Sequence, residues 1–163
     1  MARATTDPWQ VALDALARRD RTCEEIRRLL RRRKVTPGDA EGVVARLVDR
    51  GYVNDRGVAY NHARYRREQG RRGPLRVRSE LLARGIDAGI VDEVVREEFP
   101  ADDTREAVDR AAERLAGRHG LPRDRAGSEK LARRLVRAGF PRSEVFAWLA
   151  RGPELRDAHD DVD

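Results

Sequence analysis

Arginines and a tyrosine at helical spacing are the residues of this chain best equipped for chemistry, and that chemistry is recognition of phosphate. Tyr60, Arg64, Arg67 and Arg71 recur at i, i+4, i+7 and i+11, so on a helix they form one stripe. Arg66, Arg72, Arg76 and Arg78 lie close to it in the chain. A guanidinium is a planar fork of donors matched to phosphate and carboxylate. A row of them can track a nucleic-acid backbone while Tyr60 or Tyr65 stacks on a base. A solvated helix face is the competing reading of the same stripe. It draws weight from the bias of the whole chain, in which 33 of 35 basic residues are arginine and only Lys34 and Lys130 are lysine.

Catalytic groupings are scarce. His62, His119 and His159 are far apart and have no Cys, His or carboxylate at a metal-ligand spacing. No Gly-Lys-Ser/Thr loop follows a strand, so a phosphate-binding loop of the nucleotide-hydrolase type is excluded. The pairs Asp102 with Asp103 and Glu97 with Glu98 are adjacent in sequence, which sends them to different helix faces and suits solvation or capping. The lone Cys23 has no internal disulfide partner and no nearby histidine to activate it. The expectation is a protein that is not an enzyme, with no metal and no cofactor. Without a long apolar run or a secretory leader, it is expected in the cytoplasm, away from membranes.

Charge is distributed in blocks. Residues 51–86 carry nine arginines against Asp55, Glu68 and Glu80, a balance of +6 that equals the net charge of all 163 residues. Residues 87–127 carry seven arginines against eleven acids, and residues 152–163 one arginine against five acids, each a balance of −4. A basic middle followed by acidic surface is the expectation. With 39% charged and 5% aromatic residues, the core must be thin and aliphatic.

The elements that position the stripe repeat. Ile26, Leu30 and Val35 share their internal spacing with Val77, Leu81 and Ile86 and with Leu131, Leu135 and Phe140. The sets begin 51 and 54 residues apart, the period of a repeat architecture. A second apolar helix follows each set, through Val43, Val44, Leu47 and Val48, then Ile90, Val91, Val94 and Val95, then Val145, Phe146, Trp148 and Leu149. The fold expected is all-α, an elongated and curved array of three three-helix repeats over residues 7–53, 54–100 and 101–151. Helices are expected at 8–19, 23–33, 39–50, 58–69, 74–84, 88–98, 104–118, 128–138 and 142–150. Thr22 and Glu25 form a capping box at the start of the second. Residues 1–6 and the acidic 152–163 lack apolar periodicity and are expected to be disordered.

The segment Gly51-Tyr52-Val53-Asn54-Asp55, followed by Ala59, Arg66, Gly70, Gly73-Pro74-Leu75-Arg76-Val77-Arg78-Ser79-Glu80-Leu81 and Gly85-Ile86, resembles the central signature of the RecX family. Upstream, Arg19-Asp20-Arg21-Thr22 with Glu25-Ile26 is similar to the turn after that family's opening helix, and residues 131–140 resemble its closing unit. The likeness spans roughly residues 9–150. It departs from the family pattern at Asn54-Asp55, at Gly57-Val58, and at Gly70-Arg71-Arg72-Gly73-Pro74, which lengthens a Gly-x-Gly-Pro turn.

The resemblance implies tandem three-helix repeats and a non-enzymatic modulator of the RecA recombinase in recombination, DNA repair and the SOS response. Such a protein lodges in the groove of the RecA filament on single-stranded DNA and restrains ATP hydrolysis, strand exchange and co-protease activity. Single-stranded DNA and the filament are then the partners, duplex DNA a weak one, and the chain a monomer. The contact set expected for DNA or recombinase is Tyr60, Arg64, Arg66, Arg67, Arg71, Arg72, Arg76 and Arg78. The rival is an autonomous helix-turn-helix regulator of duplex DNA, but the candidate helices hold few of the Asn, Gln, Ser and Thr that read base edges.

Overall fold

A computed structural model describes residues 7–152, and every regular element within them is helical. The order is α1 (Pro8–Leu16), α2 (Cys23–Arg32), α3 (Pro37–Asp49), α4 (Asp55–Gln69), α5 (Pro74–Ala83), α6 (Ala88–Glu98), α7 (Thr104–Ala116), α8 (Arg125–Ala138) and α9 (Arg142–Ala150). Short 3-10 turns flank α7 at Ala101–Asp103 and Gly117–His119. The end segments expected to be disordered, 1–6 and all of 152–163 but its first residue, lie outside the described residues.

Capping side chains decide where the helices start. The Thr22 hydroxyl accepts from the Glu25 amide at 3.1 Å while Glu25 accepts from the Thr22 amide at 3.3 Å, the reciprocal box that relieves two unpaired donors. Three helices begin earlier than apolar periodicity places them. Thr36 caps α3 through the Asp39 amide, with Pro37 at its first position. Asn54 caps α4 through the Gly57 amide at 2.9 Å, and Asp124 caps α8 through the Gly127 amide at 2.8 Å. Two helices end early. The Arg21 guanidinium takes the Ala15 carbonyl beside the end of α1, and Gly117, at φ +65°, turns the chain out of α7.

The broad helix contacts fall inside trios: α1 with α2 and α3, α4 with α5 and α6, α7 with α8 and α9. Each trio has its own apolar cluster, and the third is not purely aliphatic as expected, because Phe140 and Trp148 are buried in it. Ile26, Leu30, Val44 and Leu47 fill the first, Val77, Leu81, Val91 and Val94 the second, and Val108, Leu131, Leu135, Val145 and Trp148 the third. Of the nine pattern residues only Val35 stays partly exposed, while Val48 and Phe146, on the apolar helices that follow the first and third sets, face solvent.

The trios meet end to end through their middle helices. The Gly73 amide donates to the Ala138 carbonyl at 2.9 Å and the Leu75 amide to the Gly139 carbonyl at 3.0 Å, so the end of α8 docks on the start of α5. In the other joint the Thr22 hydroxyl donates to the Arg84 carbonyl at 2.7 Å and the Arg84 guanidinium reaches Glu25 at 3.0 Å, docking the end of α5 on the start of α2. Each joint brings carbonyls left unpaired at one helix end to donors at another helix start. Both joints need a glycine at the same register position. A Cβ on Gly139, at φ +93°, would lie 2.3 Å from the Arg76 amide nitrogen, and one on Gly85, at φ +81°, 2.4 Å from the Glu24 side chain. The first trio has no trio before it among the described residues, and there the position holds Lys34, at φ +61°.

Candidate nucleic-acid interface

Helix α4 carries Tyr60, Arg64, Arg66 and Arg67, its left-handed end at Gly70 opens the loop with Arg71 and Arg72, and α5 carries Arg76 and Arg78. Because α4 packs on α6, the basic stripe faces that helix's acids. The Tyr60 hydroxyl donates to Glu97, Arg64 and Arg67 sit 3.3 and 3.4 Å from the two carboxylate oxygens of Glu98, and Arg56 pairs with Glu93. Glu98 is 6% exposed, and its Oε2 is within ion-pair distance of Arg67 without a hydrogen bond. Across the trio, Arg78 holds Asp92 at 2.7 Å. Arg66 and Arg76 converge with His62 on Glu80, at 3.0, 3.3 and 2.9 Å.

These pairs leave the second trio far less basic at its surface than its block charge indicates. Burial pushes the Glu80 carboxyl up, but the His62 hydrogen bond and the two arginines outweigh it and hold the group below its usual range. The Arg78 hydrogen bond lowers Asp92 in the same sense. Neutralised in this way, Arg64, Arg66, Arg67, Arg76 and Arg78 would have to exchange a carboxylate for a phosphate in order to bind one. Of the eight residues expected to make contact, only Arg71 and Arg72 have no acidic partner among the described residues.

Arg71 and Arg72 instead face the third trio. With Tyr65, Arg66 and Gln69 they line one wall of a groove of about 470 Å³, whose other wall is Leu115 of α7 and Arg134, Arg137 and Ala138 of α8. Neither Arg134 nor Arg137 has a carboxylate partner among the described residues. Tyr65 is 55% exposed, with the Arg66 guanidinium 5.9 Å from its ring centre. Four guanidinium groups without a carboxylate partner among the described residues, beside an exposed aromatic ring, have the chemistry to take a phosphodiester and a stacked base. Arg134 and Arg137 have a trace in the sequence, an i, i+3 pair on the polar face of their helix, but nothing there shows that α8 docks beside the Gly70–Gly73 loop. The joint at Gly73 and Gly139 brings the two walls together.

Among the described residues no three His, Cys, Asp or Glu side chains gather as metal ligands, and no helix is long and apolar enough to cross a membrane. Burial, with Asp55 close by, pushes the Cys23 thiol up to about 11, which leaves little thiolate at neutral pH. His62 is half-buried against Glu80, a packed role.

Residues 9–47 match the family model described as RecX, first three-helix domain, and residues 54–95 match RecX, second three-helix domain. The chain is 35% identical to the regulatory protein RecX of Halorhodospira halophila over 143 residues, covering 88% of this chain and 86% of the relative. It is 32% identical to that of Trichlorobacter lovleyi over 135 residues, covering 83% and 84%. The crystal structure of RecX from Lactobacillus salivarius superposes with a TM-score of 0.76 at 22% identity, over 93% of this chain and 96% of that one, a likeness of fold.

Proposed function

This chain belongs to the RecX family, and from that premise we propose that it is a non-enzymatic regulator that binds the RecA filament on single-stranded DNA and lowers its ATPase, strand-exchange and co-protease activities. The observation that carries the DNA contact is the groove between the second and third trios, where Arg71, Arg72, Arg134 and Arg137 have no carboxylate partner among the described residues and Tyr65 is open for stacking. The paired arginines of α4 and α5 then serve chiefly to hold the second trio rigid, so that Arg71 and Arg72 keep their place across from α8. On this reading the three units, 7–53, 54–100 and 101–151, act together as one monomer in the cytoplasm, with duplex DNA a weaker ligand.

The test is co-sedimentation of the chain with RecA filaments formed on single-stranded DNA, comparing the unaltered protein with Arg71→Glu/Arg134→Glu. Retention of the former and loss of the latter is the expected result. Equal retention of a folded double variant would remove the groove from the contact. A sequence-specific shift of duplex DNA without filament binding would favour the helix-turn-helix alternative.

A further inference from the structure

Beside the groove lies a more enclosed cavity of about 290 Å³ between the second and third trios, and Arg72 borders both. Its walls are apolar at Phe99, Pro100 and Phe140, and Arg67 and Glu98 line it together. A volume at the low end of small-ligand sites, with apolar walls and a few convergent polar groups, suits a single nucleobase. Charge does not single the site out, because four arginines and three acids line it. The pattern of donors and acceptors does.

Glu98 is 6% exposed, yet its carboxylate is loosely held, with Oε1 3.3 Å from Arg64 and Oε2 3.4 Å from Arg67. Among the described residues nothing donates a hydrogen bond to Oε2. A buried carboxylate short of donors is costly, and a ligand that brings N–H groups relieves it. Arg67, Oε2 and Oε1 lie in that order, so the pair offers one donor followed by two acceptors. Guanine presents the complement in the same order, the O6 acceptor followed by the N1–H and N2–H donors. Thymine would end on a carbonyl facing Oε1, and adenine and cytosine each have one exocyclic amine beside a ring nitrogen that accepts.

We propose that this cavity takes a guanine base, with Glu98 and Arg67 reading its Watson–Crick edge and Arg72 holding the phosphate attached to it; the inference deepens the DNA reading above and rests on it in drawing the base from a strand lying in the groove. The Arg67 side chain is half-exposed, so its guanidinium can swing toward O6 and uncover Oε2 for N1–H. Arg64 keeps hold of Oε1 from outside the cavity. Phe99 supplies an apolar face against the base.

The test measures binding of the full chain to short labelled oligothymidylates whose central base is thymine, guanine, hypoxanthine or adenine. Guanine should bind about tenfold tighter than thymine, the worth of one bidentate base contact. Hypoxanthine, which lacks the 2-amino donor, should fall between them, and adenine should match thymine. Glu98→Gln, with one acceptor left, should lose the guanine advantage; the base series needs no variant and decides the point even where that one fails to fold. Irradiating a strand that carries 6-thioguanine should place adducts within residues 98–104, and adducts confined elsewhere overturn the assignment. Equal affinity for central guanine and thymine overturns the inference while the groove stands. If no strand binds, guanosine monophosphate decides: preference for it over adenosine monophosphate keeps the guanine site and overturns the strand as its source, and no binding overturns both.

Discussion

Replacing Arg71 and Arg134 together by alanine should halve the salt dependence of binding to single-stranded DNA, because those two residues are half of the unpaired arginines in the groove. Each phosphate neutralised on a single strand contributes a slope of about −0.7 in log affinity against log salt. Four contacts therefore give a slope of about −2.8, and affinity falls about 50-fold between 50 and 200 mM salt. With two contacts left the slope is about −1.4, and the same change in salt costs about sevenfold. Arg78→Ala is the matched control, since its guanidinium is already engaged by Asp92 at 2.7 Å and should leave the slope unchanged. The assay is fluorescence anisotropy of a labelled oligothymidylate at five or six salt concentrations, with circular dichroism to establish that each variant is folded. The positions suit the purpose, because Arg71 and Arg134 are exposed and bear no load in either core. Equal slopes for the double variant and the unaltered protein would refute the reasoning, as would an Arg78→Ala slope as shallow as the double variant's.

Gly139→Ala should destabilise the chain by about 3 kcal/mol in urea unfolding: about 1 to 2 from the left-handed backbone and about 1 for each strained hydrogen bond of the joint. Gly42→Ala, in open space within α3, should instead stabilise by up to about 1 kcal/mol, and a Gly139→Ala loss below about 0.5 would mean the joint yields freely. Stability should fall on acidification. The folded pKa values of Glu24, Glu25, Glu80 and Asp92 are depressed below their unfolded values, so the stability they contribute is present above about pH 4.5 and is lost as pH drops through the folded values. Thermal melts from pH 7 to pH 3 check this, and a melting temperature flat over that range would contradict it. Cys23, with its thiol raised from 9.0 to about 11, should hold about a hundredfold less thiolate than an exposed cysteine at pH 7.5. Labelling by a disulfide reagent should be correspondingly slow until the protein is unfolded, and rapid labelling of the native chain would contradict the burial.

Local signals in the sequence carried much of the fold. The apolar triplets at Ile26, Val77 and Leu131 mark the middle helix of each trio, and the Thr22 and Glu25 spacing announces a cap that the structure contains. Helix starts at Asn54 and Asp124 were less visible, because a polar first turn has no apolar rhythm and the capping side chain alone sets the boundary. The candidate site was legible only in part. Counting charge along the chain separates a basic block from an acidic one, yet packing α4 on α6 lays Arg64 and Arg67 against Glu98 and cancels much of both. Which arginines remain free depends on contacts between residues some thirty positions apart, and Arg134 joins Arg71 only through the docking of two trios. The duty of Gly85 and Gly139, leaving room for the preceding trio, appears only once the joint is seen.

The most direct measurement of the central claim is single-stranded-DNA-dependent ATP hydrolysis by the RecA of the same source, followed while this protein is added at substoichiometric ratios. A falling rate is expected with the unaltered chain, and a much smaller fall with Arg71→Glu/Arg134→Glu. An unchanged rate at every ratio, with folded protein, would contradict filament regulation.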